Sequence, residues 1–234
     1  MHTESHHSEE DEQRLVEALT LAFETMKTSL NKALTLCDEI YESLVYYTLS
    51  DKKREYYTAR TLLLRASIHA EFRHYEKGLE DVEIAFNTFL TLHDNEYCAR
   101  SLLVKAIALT YNAQFSEALN VLNEATFYAH QTTNAEIRAA IPLRMGFVQH
   151  TMGNHDKALE YYYQTLHGLD EKQFPLLAAT CYNDIAAALT RIEHFSEAEE
   201  YYKKAIAINK SNNNKRGLIR NLSDYGVLLT QRGH

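Results

Sequence analysis

The sequence predicts an all-α fold of about 11 helices, most of them paired and stacked one pair upon the next. Three observations predict it. Pro and Gly, the residues that turns demand, number only 2 and 7 in 234 residues, so long helices joined by short turns are expected. The chain aligns with itself at a shift of 40 residues. The columns that recur at this shift hold small side chains, which close helix crossings require.

Ala66, Ala106, Gly146, Ala186 and Gly226 form the first column. Twelve residues further on, Gly78, Ala118, Ala158 and Ala198 form a second, and Ala85, Ala125, Thr165 and Ala205 form a third. Tyr75, Phe115, His155 and Phe195 precede the second column, three aromatics and one His. Leu79, Leu119 and Leu159 follow it, with Glu199 breaking the series. A large side chain at a crossing holds two helix axes apart, so only Gly or Ala fits there. The first helix of each pair therefore meets the second at these columns, and the aromatic plugs the turn between them.

The elements follow in order. Residues 1–8 read as a disordered, polar N-terminal arm, and 9–52 as a divergent helical pair, 9–27 with 30–49. Residues 53–234 read as four 40-residue pairs and a lone final helix. The pairs are 53–72 with 75–92, 95–112 with 115–131, 134–152 with 155–169, and 174–191 with 195–209. The lone helix is 214–232. Asp51, Asp94 and Asn134 are the expected N-caps, Pro175 suits a first helical turn, and Gly153 suits a C-terminal cap. Asn212–Asn214 reads as a loop. Pro142 falls inside a helix, where it removes a backbone bond at a cost of about 3 kcal/mol; the expectation is a kink near Phe147 and His150, or a new helix starting at Pro142. By the 40-residue period the next residue after His234 is the aromatic of a further second helix, so a fragment of a longer protein is expected.

The small, aromatic and small columns resemble the pattern of the tetratricopeptide repeat family. The resemblance covers about 54–234, and about 30–50 in part, where Asn31 to Leu34 (NKAL) is similar to Ser116 to Leu119 (SEAL). It implies a right-handed superhelix of helical hairpins that binds protein or peptide on its first helices. The family's usual unit is about 34 residues; the longer unit here is that of light-chain-like and bacterial sensory variants. The family's early Trp is replaced by Leu62, Leu102, Pro142, Tyr182 and Leu222. The carboxylate clamp that some members use needs Lys and Asn, whereas Leu63, Ser67, Val104, Ala140 and Arg144 stand there, so that mode is set aside.

On this resemblance the partner-binding face is carried by Arg60, Leu63, Arg100, Leu103, Ile107, Tyr111, Leu143, Phe147, His150, Asn183, Arg191 and Arg220. Ser67, Ala187, Ser223 and Val227 turn the same way. Apolar area beside Arg and Tyr is the composition of a binding hot spot, and Arg pairs bidentately with carboxylates, so a peptide with apolar and acidic side chains is the expected ligand. For Leu63, Leu103 and Leu143 the competing expectation is an ordinary interior position.

Chemistry is not encoded in any motif. No two glycines lie closer than seven residues, so there is no P-loop and no nucleophile elbow, and HExxH and CxxC are absent. His2, His6 and His7 form a cluster that reads as a tail and not as a metal site. No catalytic residue, metal or cofactor is expected. The net charge of −8 disfavours nucleic acid, and no apolar run reaches the about 20 residues of a membrane span. Cys37, Cys98 and Cys181 are isolated singletons, which fits a reducing cytoplasm. The expected function is a peptide-binding scaffold serving as the N-terminal sensory or regulatory region of a larger bacterial signalling protein, with a diguanylate cyclase, histidine kinase or DNA-binding output. The alternative is a structural module that homodimerises through 214–232.

Overall fold

A computed structural model describes the backbone of residues 2–233 and the side chains of 7–233. His2 and His6 of the N-terminal histidine cluster therefore lie outside the described side chains. Eleven α-helices run in the order α1 (His2–Met26), α2 (Leu30–Ser43), α3 (Asp51–Glu71), α4 (Tyr75–Thr91), α5 (Asn95–Tyr111), α6 (Phe115–His130), α7 (Ala135–Thr151), α8 (His155–Gly168), α9 (Pro175–Arg191), α10 (Phe195–Ser211) and α11 (Lys215–Arg232). The chain divides into two compact units, Met1–Ala113 and Gln114–His234. The division falls inside the expected 53–234 array.

Three details differ from the sequence reading. Helix α1 starts at His2 and not at residue 9. Further along α1, Asp11 accepts the Thr48 backbone N–H at 2.8 Å and Glu12 accepts from Lys53 Nζ at 2.6 Å and the Tyr57 hydroxyl at 2.8 Å. Those two donors hold the Glu12 carboxyl below its usual pKa. Helix α2 ends at Ser43 and passes into a short 3-10 turn, Leu44–Tyr46, whose Leu44 carbonyl, with that of Tyr47, accepts from Arg54. Ser50, not Asp51, caps α3 by accepting from the Lys53 N–H. Asp94 and Asn134 do cap α5 and α7, and Pro175 opens α9.

In the first unit α1 packs on α2, α2 on α3, α3 on α4 and α4 on α5. The core around α1, α2 and α3 is built from residues such as Leu15, Leu19, Cys37, Ile40 and Ile68. Arg65 joins it to α4. Its Nε and one terminal nitrogen donate to the two oxygens of Asp81 at 2.7 and 2.8 Å, and the other terminal nitrogen donates to Asp38 at 3.0 Å. The Asp81 bonds raise the Arg65 pKa further.

In the second unit α6 packs on α7, α7 on α8, α8 on α9, α9 on α10 and α10 on α11. The first helices of successive pairs also touch, α7 with α9 and α9 with α11. The second helices α8 and α10 meet through side chains, with the Tyr163 hydroxyl donating to Glu197 at 3.4 Å and the Tyr163 and Tyr201 rings 6.5 Å apart. Helices α7, α9 and α11 thus form one layer, and α8 and α10 stand outside it. Helix α7 is unbroken from Ala135 to Thr151 through Pro142, so no new helix begins there.

Twelve of the thirteen small-column residues are buried. The exception is Gly226, where an added Cβ meets nothing within 4 Å. The column of a first helix presses on the second helix that follows it, as a Cβ on Gly146 shows by falling 3.1 Å from the Ala158 carbonyl. No helix follows α11 among the described residues.

The turns repeat as strictly as the helices. Arg73, Ala113, Gly153, Glu193 and Gly233, spaced by 40, all adopt a left-handed backbone with φ of 61, 60, 88, 64 and 87°. After α3, α7 and α9 the chain closes with a bond from the next N–H back to the carbonyl five residues earlier: His74 to His69, Asn154 to Gln149, His194 to Leu189, at 2.9–3.0 Å. This is the motif that satisfies carbonyls at a helix end and favours Gly.

Candidate binding site

The layer of α7, α9 and α11 carries a cleft of about 240 Å³. Its sides are Phe147 and His150 from α7, Ala187, Thr190 and Arg191 from α9, and Arg220, Asp224 and Val227 from α11; Asp184, Tyr162 and Tyr202 also line it. The two tyrosines reach in from the outer helices α8 and α10, where the small residues of the facing helices admit their rings.

Asp184 lies at the centre. Its side chain is 4% exposed, and one oxygen pairs with the Arg220 guanidinium. The other oxygen is buried with no hydrogen-bond partner, and so is the Tyr162 hydroxyl. Burial, and then the Asp184 charge, pushes the Tyr162 phenol well above its ordinary pKa, so it stays a donor. Asp224 accepts from the Asn183 amide at 2.8 Å. Behind it the Asn221 amide lies 2.7 Å from that of Asn183 and 2.6 Å from that of Asn209, which ties α9, α10 and α11 together.

His150 Nδ1 stands 3.2 Å from His155 Nδ1. Burial, and then the neighbouring His155, lowers the His150 pKa; burial, and then Arg191, lowers that of His155. Arg191, exposed at the C-terminal end of α9, has no hydrogen bond or ion pair among the described side chains. The cleft therefore offers an uncommitted cation, apolar surface from Phe147, Ala187 and Val227, and two lining residues that each bury an unpartnered polar atom.

Of the twelve residues anticipated from sequence, the structure brings Phe147, His150, Arg191 and Arg220 together here. Asn183 is buried beneath them, holding α11 in place. Leu143 is fully buried in the core, and Leu63 and Leu103 are buried in the first unit, so none of the three presents a surface. The reason is the tight approach of successive first helices. Arg60 lies over the rings of Tyr56, Tyr57 and Tyr97 at 5.4–5.8 Å, Arg100 pairs with Glu96 on its own helix, Tyr111 stacks on Tyr75, and Ile107 is half-buried. All of these belong to the first unit.

Sequence reading missed Asp184, Tyr162, Tyr202 and Asp224. The 40-residue columns did hold a signal. The column Leu64, Val104, Arg144, Asp184, Asp224 turns from apolar to charged, and Val82, Leu122, Tyr162, Tyr202 turns from aliphatic to phenolic.

Among the described residues no group of three or more His, Cys, Asp or Glu is placed to hold a metal. No helix is long and apolar enough to cross a membrane.

Paired helices of fixed period, with first helices in mutual contact, define a helical-repeat solenoid. Residues 138–211 match the family model described as tetratricopeptide repeat. No curated protein sequence matches the chain. Among solved structures, a Rap protein complexed with competence and sporulation factor aligns with a TM-score of 0.74 at 15% identity, covering 89% of this chain and 60% of that one. A plasmid's Rap conjugation gene regulator, in complex with the Phr* peptide, aligns with a TM-score of 0.73 at 14% identity, covering 90% and 61%. A signal transduction ATPase with a tetratricopeptide repeat sensor, from Pyrococcus horikoshii, aligns with a TM-score of 0.62 at 18% identity, covering 94% and 34%. The chain spans less than two thirds of the length of each of these proteins. Residues 138–211 thus carry the tetratricopeptide repeat, and the chain shares the helical solenoid fold of the aligned structures.

Proposed function

We propose that this chain is a peptide-binding scaffold whose ligand seats in the cleft of α7, α9 and α11. The observation that carries the reading is Arg191, a cation without a partner beside the apolar surface of Phe147, Ala187 and Val227. Such a pairing fits a peptide with an acidic and an apolar side chain. The resemblance of the fold to Rap proteins crystallised with a peptide or a signalling factor supports the same reading, and the sensor region of the ATPase supports a regulatory role in a larger signalling protein. The Rap likeness supports a bacterial setting, and three buried cysteines outside any disulfide support a reducing, cytoplasmic one. The protein acts by binding and not by catalysis.

The test is selection of peptides from a random library, followed by titration of the best sequence. Arg191→Glu is expected to weaken binding by on the order of tenfold or more, the loss of one charge-assisted bond and its replacement by repulsion. Unchanged affinity contradicts the reading.

A second reading rests on α11, where Ile219 is 68%, Leu222 50% and Val227 48% exposed. That surface supports self-association through 214–232. Mass in solution that does not change on Leu222→Asp contradicts it.

A further inference from the structure

We infer that the floor of the cleft seats a primary carboxamide, the side-chain amide of an Asn or Gln carried by the bound peptide. The inference rests on the peptide-binding reading and specifies what the site selects.

Two residues that line the cleft, Asp184 and Tyr162, each bury one polar atom without a partner, Asp184 Oδ2 and the Tyr162 hydroxyl. Their residues are 3% and 0% exposed. A buried polar group left unpaired costs about 1–3 kcal/mol, so the pair marks a place prepared for a guest. Their chemistry is asymmetric. A carboxylate oxygen only accepts, whereas a phenol has one hydrogen to donate. A carboxamide is a neutral group that carries its donor and its acceptor on two separate atoms: its N–H donates to Asp184 and its carbonyl accepts from Tyr162.

Charge separates this guest from the ionic alternatives. The formal charges lining the cleft cancel, Asp184 and Asp224 against Arg191 and Arg220. A lysine or arginine side chain on the floor adds a cation with no counter-charge left, because Asp184 already holds Arg220. A carboxylate faces Asp184 directly. A cleft of about 240 Å³ also lies below the usual range for a whole small-molecule ligand, which suits one anchor side chain.

The test uses the full chain and four capped tripeptides, Ac-Ala-X-Ala-N-methylamide, with X as Gln, Glu, Lys or Met. Binding is read from backbone amide chemical shifts. The Gln peptide is expected to bind at least about tenfold tighter than the other three, with shifts centred on Tyr162 and Asp184. Tyr162→Phe, which keeps the buried ring, is expected to abolish that preference. Equal affinity for all four, with shifts still in the cleft, overturns the carboxamide anchor and leaves the peptide-binding reading standing. Preference for Lys or Glu, or a complex in which only water occupies the floor, overturns it as well. Shifts confined to other surfaces, or none at millimolar peptide, overturn both.

Discussion

The ring of Tyr162 occupies the space that a side chain at Gly146 would need. A Cβ built on Gly146 falls 2.5 Å from Cε1 and 2.6 Å from Cδ1 of Tyr162. Gly146 belongs to the same 40-residue column as Ala66 and Ala106, and the residue 16 positions further on is Tyr162 where those two have Val82 and Leu122. The glycine is what admits Tyr162 to the cleft.

Gly146→Ala is therefore expected to destabilise the protein by about 2 kcal/mol through overpacking, although Ala is the better helix former by about 1 kcal/mol. Gly226→Ala, with nothing within 4 Å, is expected to stabilise by up to about 1 kcal/mol. Urea midpoints read both, and shifts of the same sign contradict the packing argument.

The left-handed turns give a second pair of opposite effects. Ala113 and Glu193 hold φ of 60 and 64° where Gly153 holds 88°. Ala113→Gly and Glu193→Gly are each expected to stabilise by about 0.5–1 kcal/mol, and Gly153→Ala to destabilise by a similar amount. In melting temperature that is a few degrees for a chain of this size, about 2–4 °C per kcal/mol.

Arg65 meets two carboxylates of unequal weight. The Asp81 side chain is 10% exposed and bonded at two points, whereas that of Asp38 is 50% exposed and bonded at one. Asp81→Ala is expected to cost about 2 kcal/mol. Asp38→Ala is expected to cost less than about 1 kcal/mol, because solvent already screens that pair. A reversed order in chemical denaturation contradicts the assignment.

Acid is expected to weaken the fold through its histidines. The pKa values of His69, His150 and His155 are lowered, in each case chiefly by burial. As pH falls through the ordinary histidine value of about 6.5, the unfolded chain takes up protons first, so stability is full above that pH and declines below it. The lowered carboxyl of Glu12 acts in the same sense, but below the ordinary carboxylate range. Urea midpoints at pH 7.5 and 5.5 are expected to differ, with the higher value at 7.5. The difference is expected to shrink in His150→Asn; no change on that substitution contradicts the role given to this pair.

The helices, the hairpin pairing and the spacing of turns were legible because they rest on local physics. Scarce Pro and Gly, caps such as Asp94 and Asn134, and small residues at crossings each act within one or two neighbouring helices. The cleft was legible only in its outline. Phe147, His150, Arg191 and Arg220 were visible from one helix face at a time. Leu143 was misplaced because the same face is buried where successive first helices touch. Asp184 and Tyr162 converge from α9 and α8, and no single helix's periodicity states that meeting. The shift of their columns from apolar to polar was the trace it left.

The most direct measurement is amide chemical-shift mapping of a library-selected peptide on the full chain. The account predicts perturbations that cluster on Phe147, Ala187, Arg191 and Val227, and their loss in Arg191→Glu. Perturbations that gather instead on Ile219 and Leu222, or on the first unit, and that survive Arg191→Glu, contradict it.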